Sequence, residues 1–310
     1  MHIAIAFDSN YLVPFYALVT SIFYNNPNQA ITVHCIIRGI SELEKQKIVK
    51  YINNHNSSIY FYVIDEELIA NFVVRSQWTT AVYYKIFFPL IVPDTLERLL
   101  YLDTDTLVLN NLNTLYNTDF HHYPLAAVYD NYVKIQPDLG IYEEGCYFNS
   151  GVMLFNLKEW KKQHMSEKAL DILSNHPEKI TYVDQDALNA VLINNWLRIP
   201  EKFNLLYSYI PQDLPKSLFK DFLKDKVVIH FTLHRPWSCL CQNRFRYLYK
   251  KYLRLSPKRD TQVIQDFSLK KTRLFVHLRI VEFYIDNQWL RSAWKMIKSL
   301  SFAQRNTFTL

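Results

Sequence analysis

Glycine is nearly missing from this sequence: 310 residues contain four, at positions 39, 140, 145 and 151. A backbone cradle for phosphate needs clustered glycines, and neither a G-x-G-x-x-G nor a Walker pattern occurs. Cysteine is as scarce. Cys35, Cys146, Cys239 and Cys241 form no C-x-x-C pair and no zinc quartet, and Cys239 and Cys241 stand too close to bridge easily. The expectation is four reduced thiols in a cytosolic protein. No run of 18 apolar residues is present, so no segment is expected to span a membrane. The opening MHIAIAFDSNY has no basic leader and meets Asp8 early, which reads as a first strand rather than a signal peptide. Internal repeats, long linkers and nucleic-acid motifs are missing as well, so no nucleic-acid partner is expected.

Aromatic residues are abundant. Apolar residues make up 49% of the chain, with 22 Tyr and 20 Phe, enough to bury a sizeable core in one large domain or two. Charge is placed unevenly. From Arg244 onward there are 15 Lys and Arg against 4 Asp and Glu, a net +11, while residues 1–243 carry 20 against 25, a net −5. That contrast divides the chain into an acidic body, 1–243, and a basic segment, 244–310, with a partner of its own.

Along the body, apolar runs at Ile3–Phe7, Ile31–Ile37, Ser58–Ile64 and Leu125–Tyr129 read as strands. Leu12–Tyr24, a segment from Ser41 to Asn53 opening on a capping box, Thr79–Leu90, Leu157–Leu173 and Tyr182–Ile193 read as helices. Alternation of the two predicts an α/β domain with a mostly parallel sheet, whose ligands bind beyond the carboxyl ends of the strands. The run Leu99–Leu109 reads as one buried strand interrupted by Asp103 and Asp105. At i and i+2 the two carboxylates are expected on the same face, where their repulsion calls for a divalent cation of the magnesium, manganese or calcium type. Asp8, at the end of the first strand, is expected in the same crevice. Lys226–Phe231 reads as a late strand ending near His230.

Five motifs, AFDSNY, YLDTDTLV, YFNSGVMLFNLKEW, YVDQDALN and a closing HF…RPW, occur in an order that resembles the family 8 glycosyltransferases, above all bacterial lipopolysaccharide galactosyl- and glucosyltransferases. The resemblance spans residues 1 to 237. It implies a GT-A-like fold, a UDP-sugar donor, a glycan or lipid-linked saccharide acceptor, manganese or magnesium, and retention of anomeric configuration. Carried over by position, it implies nucleoside contacts from Asp8, Asn10 and Tyr11, and a metal site from Asp103, Asp105 and His230, with Thr104 beside the donor. It implies a donor-sugar site from Asn149, Asp184 and Gln185, of which Asp184 and Gln185 are the catalytic candidates. Lys85 stands where the family commonly has Arg, which keeps the charge and loses the bidentate fork. The closing motif is one residue short of H-x-x-G-x-x-K-P-W, lacks its glycine, and has Arg235 for Lys. His234 is an alternative ligand.

Plainer readings stand beside these. Asp8 and Asn149 also suit turns, His230 alone suits a satisfied core histidine, Asp186 suits a helix N-terminus, and His121-His122 suits a solvated loop. Two other functions are weighed. A haloacid-dehalogenase-type phosphatase also carries Asp-x-Asp after a strand, but its threonine and its later Gly-Asp motif are not found here. A nucleotide-sugar-binding scaffold that has lost transfer activity is compatible with the altered closing motif. The segment after 243 interleaves basic and aromatic residues, with Leu274, Phe275, Leu278, Val281 and Ile285 at helical spacing. It is expected to form a basic helical tail that binds the inner face of an anionic membrane through Tyr247, Tyr252, Phe275, Phe283, Trp289 and Trp294. A helix packed on the body is its plainer alternative.

Overall fold

In the computed structural model the described residues are 1–73 and 79–293. Branched and aromatic apolar runs build β1 (His2–Asp8), β2 (Thr32–Arg38), β3 (Ser58–Tyr62), β4 (Arg98–Leu102) and β5 (Thr106–Val108). They are followed by β6 (Leu125–Tyr129), β7 (Phe148–Asn156), β8 (Leu197–Arg198) and β9 (Val228–His230). Seven strands form one sheet in the order β3-β2-β1-β4-β7-β6-β8; β7 is antiparallel to both its neighbours and every other pair is parallel. The α/β expectation with a mostly parallel sheet therefore holds. Alternation along the strands feeds both faces: Leu99 and Tyr101 pack on one side, Leu100 and Leu102 on the other. Helix Leu12–Asn25 and the capped helix Glu42–Asn53, whose Ser41 hydroxyl accepts from the Glu44 amide, cover one face.

The run 99–109 is not one strand. β4 stops at Leu102, the chain turns through Asp103–Thr106 with the Thr106 amide bonded to the Asp103 carbonyl, and β5 leaves for a second, two-stranded sheet with β9. Two carboxylates side by side cannot be buried in a ladder, so the chain leaves the ladder where they occur. Thr106 pairs with His230 in that small sheet, which carries the histidine to the turn. Two helices expected as single rods are also divided. His164, at a φ of 54°, separates Leu157–Lys162 from Met165–Asn175, and Thr80–Ile86 is a 3-10 segment leading into Phe88–Ile91.

Past residue 243 the body continues. Helix Tyr247–Leu255 buries Leu248, Tyr249, Tyr252 and Leu253 against Ala17, Ile229 and Phe231, and the Asn25 amide donates to the Tyr252 hydroxyl at 2.9 Å. Tyr252, expected at a membrane, is thus held in the interior by the apolar face of its own helix. The following helix, Thr272–Asp286, has no buried residue. It is tied to the body by ion pairs of Arg244 with Asp286 and of Arg246 with Glu282. Leu274, Val281 and Phe283 are exposed and Phe275 is half-buried, while Trp294 lies outside the described residues. No described helix is long and apolar enough to cross a membrane.

Asp186 is a helix N-terminal acid that is fully buried. Its carboxylate accepts from the amides of Thr181 and Tyr182 at 2.6 and 2.7 Å and from the Tyr147 hydroxyl at 2.6 Å, pinning β7 to helix Val183–Val191. Asp186→Ala leaves these donors without an acceptor and is expected to cost on the order of 3 kcal/mol. Denaturant midpoints at unchanged slope measure this; a loss below about 1 kcal/mol would show that the anchor is dispensable.

Candidate active site

β1, β4 and β6 end at one edge of the sheet, and because β7 runs the other way it begins there. The ends open into a cavity of about 620 Å3 that takes in every expected site residue except Asp8 and Asn10. Asp8 is buried and caps the turn Ser9–Tyr11 by accepting from the Asn10 amide at 2.9 Å, whereas Asn10 is exposed. Tyr11 does reach the cavity. Arg235 lies over its ring at 5.6 Å and Trp237 meets it edge-on, and burial raises its hydroxyl pKa to about 12 although Arg235 opposes the shift. His234 also lines the wall.

The Asp103–Thr106 turn and β9 bring Asp103, Asp105 and His230 together. Their ligand atoms lie within 4.8 Å of one another, the one such group of three among the described residues. His230 Nε2 is 3.1 Å from Asp105 and 3.9 Å from Asp103, while Nδ1 meets Asn204 Oδ1 at 3.2 Å. The Asn204 contact keeps a proton on Nδ1, while Nε2 donates to Asp105; a bound cation would displace the Nε2 proton and leave that nitrogen free to coordinate, as in a metal-binding histidine. Two carboxylates and an imidazole are a donor set for a divalent cation. Gly151 explains the close approach: a Cβ there would lie 2.1 Å from His230 Cε1 and 2.8 Å from Asp103 Oδ2. Burial disfavours the imidazolium, but Asp105 and Asp103 together outweigh it and raise the His230 pKa.

Beside this group sits Lys85, 3% exposed. Its ammonium is 2.8 Å from Asp184 and 3.2 Å from both Asp103 and the Ser150 hydroxyl. Burial works against its charge, yet Asp103 and Asp184 more than compensate and its pKa is raised. Asp184 is pushed up by burial, which Lys85 only partly offsets. The residue before it, Val183, has a φ of 40°, and Thr232 on the opposite wall has 43°. For β-branched residues these are strained conformations, held by the packing around them.

A chain of amides completes the floor. Asn149 Nδ2 donates to Asp130 at 3.0 Å and to Gln185 Oε1 at 3.1 Å; the Ser150 amide also donates to Gln185 Oε1, and Gln185 Nε2 donates to Asp130 at 3.2 Å. Asp130, Ser150 and Asn204 were not among the expected site residues. Asp130 closes β6 as Asp103 follows β4, a signal the sequence does carry. Asn204, following a short 3-10 turn, has no periodicity to mark it.

The family described as "Glycosyl transferase family 8" matches residues 2–241. General stress protein A of Bacillus subtilis (strain 168) is 28% identical over 266 residues, 82% of this chain and 93% of that protein. A lipopolysaccharide 1,2-glucosyltransferase of Escherichia coli is 29% identical over 263 residues, 82% of this chain and 78% of that protein. The galactosyltransferase LgtC, solved with donor and acceptor sugar analogues, shares the fold with a TM-score of 0.72 at 22% identity, covering 88% of this chain and 100% of that one. The dehalogenase-type phosphatase is thereby set aside. With its motifs in order and the family match running from β1 past β9, the chain belongs to glycosyltransferase family 8.

Proposed function

We propose that this protein is a metal-dependent, retaining transferase that moves galactose or glucose from UDP to a hydroxyl of a glycan or lipid-linked saccharide. The observation that carries this reading is the joining of Asp103, Asp105 and His230 to Lys85, Asp184 and Gln185 in one cavity. Cleaving the sugar–phosphate bond leaves negative charge on the diphosphate and an oxocarbenium-like sugar. Asp103, Asp105 and His230 would hold a divalent ion, which would supply Lewis-acid stabilisation of the leaving diphosphate. Arg235 adds fixed positive potential at the cavity wall. Lys85 holds Asp103 and Asp184 in place rather than reaching outward, since its ammonium is enclosed by both. Asp184 and Gln185 orient the hexose. Gln185 Oε1 already accepts two N–H bonds, which further weakens an amide oxygen as a nucleophile. That favours attack by the acceptor hydroxyl on the face the diphosphate leaves, the hydroxyl proton passing to the departing phosphate oxygen. Tyr11 is the end of the site assigned to uracil, on the turn that Asp8 caps.

The proposed location is the cytoplasmic face of an anionic membrane. The outward side of helix Thr272–Asp286 exposes Val276, Ile280 and Phe283, with Leu269 and Trp289 beyond its ends. Nearby, Lys216, Lys220, Lys224 and Lys250 line a groove of about 980 Å3 together with Phe219, Leu223 and Phe275. Each cation near an anionic leaflet contributes about 1 kcal/mol. We assign the contacting segment to the residues after Ser256.

Asp103→Asn, or excess chelator, is expected to lower manganese-supported UDP-sugar hydrolysis on the order of 10²-fold or more. Full activity in chelator would sink the metal assignment, and no hydrolysis of any UDP-hexose by the parent would favour the inactive scaffold. In calorimetric titration with manganese present, UDP should bind more tightly than GDP; equal affinities would show that the Asp8–Tyr11 turn is misread. Co-sedimentation of the full chain should require anionic vesicles and weaken with salt. A chain ending at Ser256 should bind them less well, and equal binding by both would make the last segment structural.

A further inference from the structure

We propose that Asn204 is a positioning residue whose single amide couples the metal-binding histidine to the donor-sugar amides. It is fully buried, and both ends of its side chain are engaged in a directed way. Oδ1 accepts from His230 Nδ1 at 3.2 Å, and Nδ2 donates to Asn149 Oδ1 at 2.9 Å. Asn149 Oδ1 also accepts from the Gly151 amide at 3.0 Å. This fixes the Asn149 carboxamide with its nitrogen toward Asp130 and Gln185, whose orientations follow from it.

The polarity of the chain runs one way. If Asn204 turned over, its nitrogen would face the His230 N–H and its oxygen would face the Asn149 oxygen, leaving two donors opposed and two acceptors opposed. In a buried site each such mismatch is costly. One amide therefore sets the imidazole tautomer on the metal side and the orientation of Asn149 and Gln185 on the sugar side. These groups come from β7, β9 and helix Val183–Val191, and Asn204 lies between them on the segment that joins β8 to β9.

The inference rests on the metal site proposed above, and two variants separate its parts. Asn204→Asp keeps an acceptor for His230 and loses the donor to Asn149. Manganese affinity, measured by calorimetry on the metal-stripped full chain, should stay within about threefold of the parent, since a carboxylate partner serves a metal-binding imidazole well. Turnover in UDP-sugar hydrolysis should fall roughly 10- to 100-fold, because the sugar amides lose their fixed orientation. Asn204→Leu, similar in size, removes both contacts and should weaken manganese binding about 10- to 100-fold in addition. If the leucine variant does not fold, the aspartate variant decides alone. Unequal effects of Asn204→Asp on metal affinity and turnover support the coupling; parallel loss of both in that variant, or parent-like values of both, overturns it. A parent that binds no manganese overturns the metal reading itself, and the inference with it.

Discussion

A buried ammonium between two carboxylates is the interaction on which the rest of this structure depends. Lys85 touches Asp103, Asp184 and Ser150 at once, and these come from three separate elements: the turn after β4, helix Val183–Val191 and β7. Burying either acid alone is costly, and breaking a buried pair by removing one partner costs several kcal/mol. The ammonium therefore does more than balance charge. It makes the placement of the 3-10 segment, the turn and the helix mutually dependent, so that the carboxylate turn is fixed before any ligand arrives. A guanidinium at this position would need room for a planar fork; the compact ammonium fits a space closed on one side by the Tyr101 ring, 5.1 Å away.

The remaining charge is handled by the opposite wall. Asp103 and Asp105 face His230, whose Nε2 lies 3.1 Å from Asp105 and 3.9 Å from Asp103, so the imidazole shares the negative charge of the turn. Gly151 is the concession the backbone makes to this closeness. Its missing side chain lets β7 pass against the imidazole ring, and its carbonyl accepts from the Asp103 amide at 2.8 Å. One glycine thus serves both the donor geometry of the turn and the pairing that carries β7 past it.

Much of this was legible in the residues. Apolar runs located β1, β2, β3, β4 and β6 and the edge at which Asp8, Asp103 and Asp105 gather, and the acid three residues after Ser41 located a helix cap; the two-residue β8 is too short to leave such a pattern. The strand break at Asp103 was not legible, since Leu107 and Val108 are as apolar as Leu99 and Leu100 and only the partner strand differs. His164 interrupts a helical pattern through a positive φ that its residue type does not announce. Tyr252 carries the same aromatic and basic neighbours as an exposed segment; which side of its helix meets Ala17 and Phe231 is decided by the body, not by composition. Asn10 follows Asp8 in a motif, but the turn that Asp8 caps points it to solvent. Asn204 escapes any local reading, because its partners Asn149 and His230 stand 55 and 26 residues away.

The reversal of β7 has a consequence for how the molecule comes to exist. Strands β1, β2 and β3 pair in parallel through short helical crossovers and can associate from the first part of the chain alone. β7 must return between β4 and β6, pairing Leu99 with Phe155 and Leu125 with the same residue, and only then does Gly151 meet His230, which arrives later still. Contacts of such separation form late, after their loop-closure entropy has been met. The candidate site is thus assembled from the most widely separated pairings in the chain: where β1, β2 and β3 alone have paired, the Asp8 turn has neither Asp103, Asp184 nor His230 beside it.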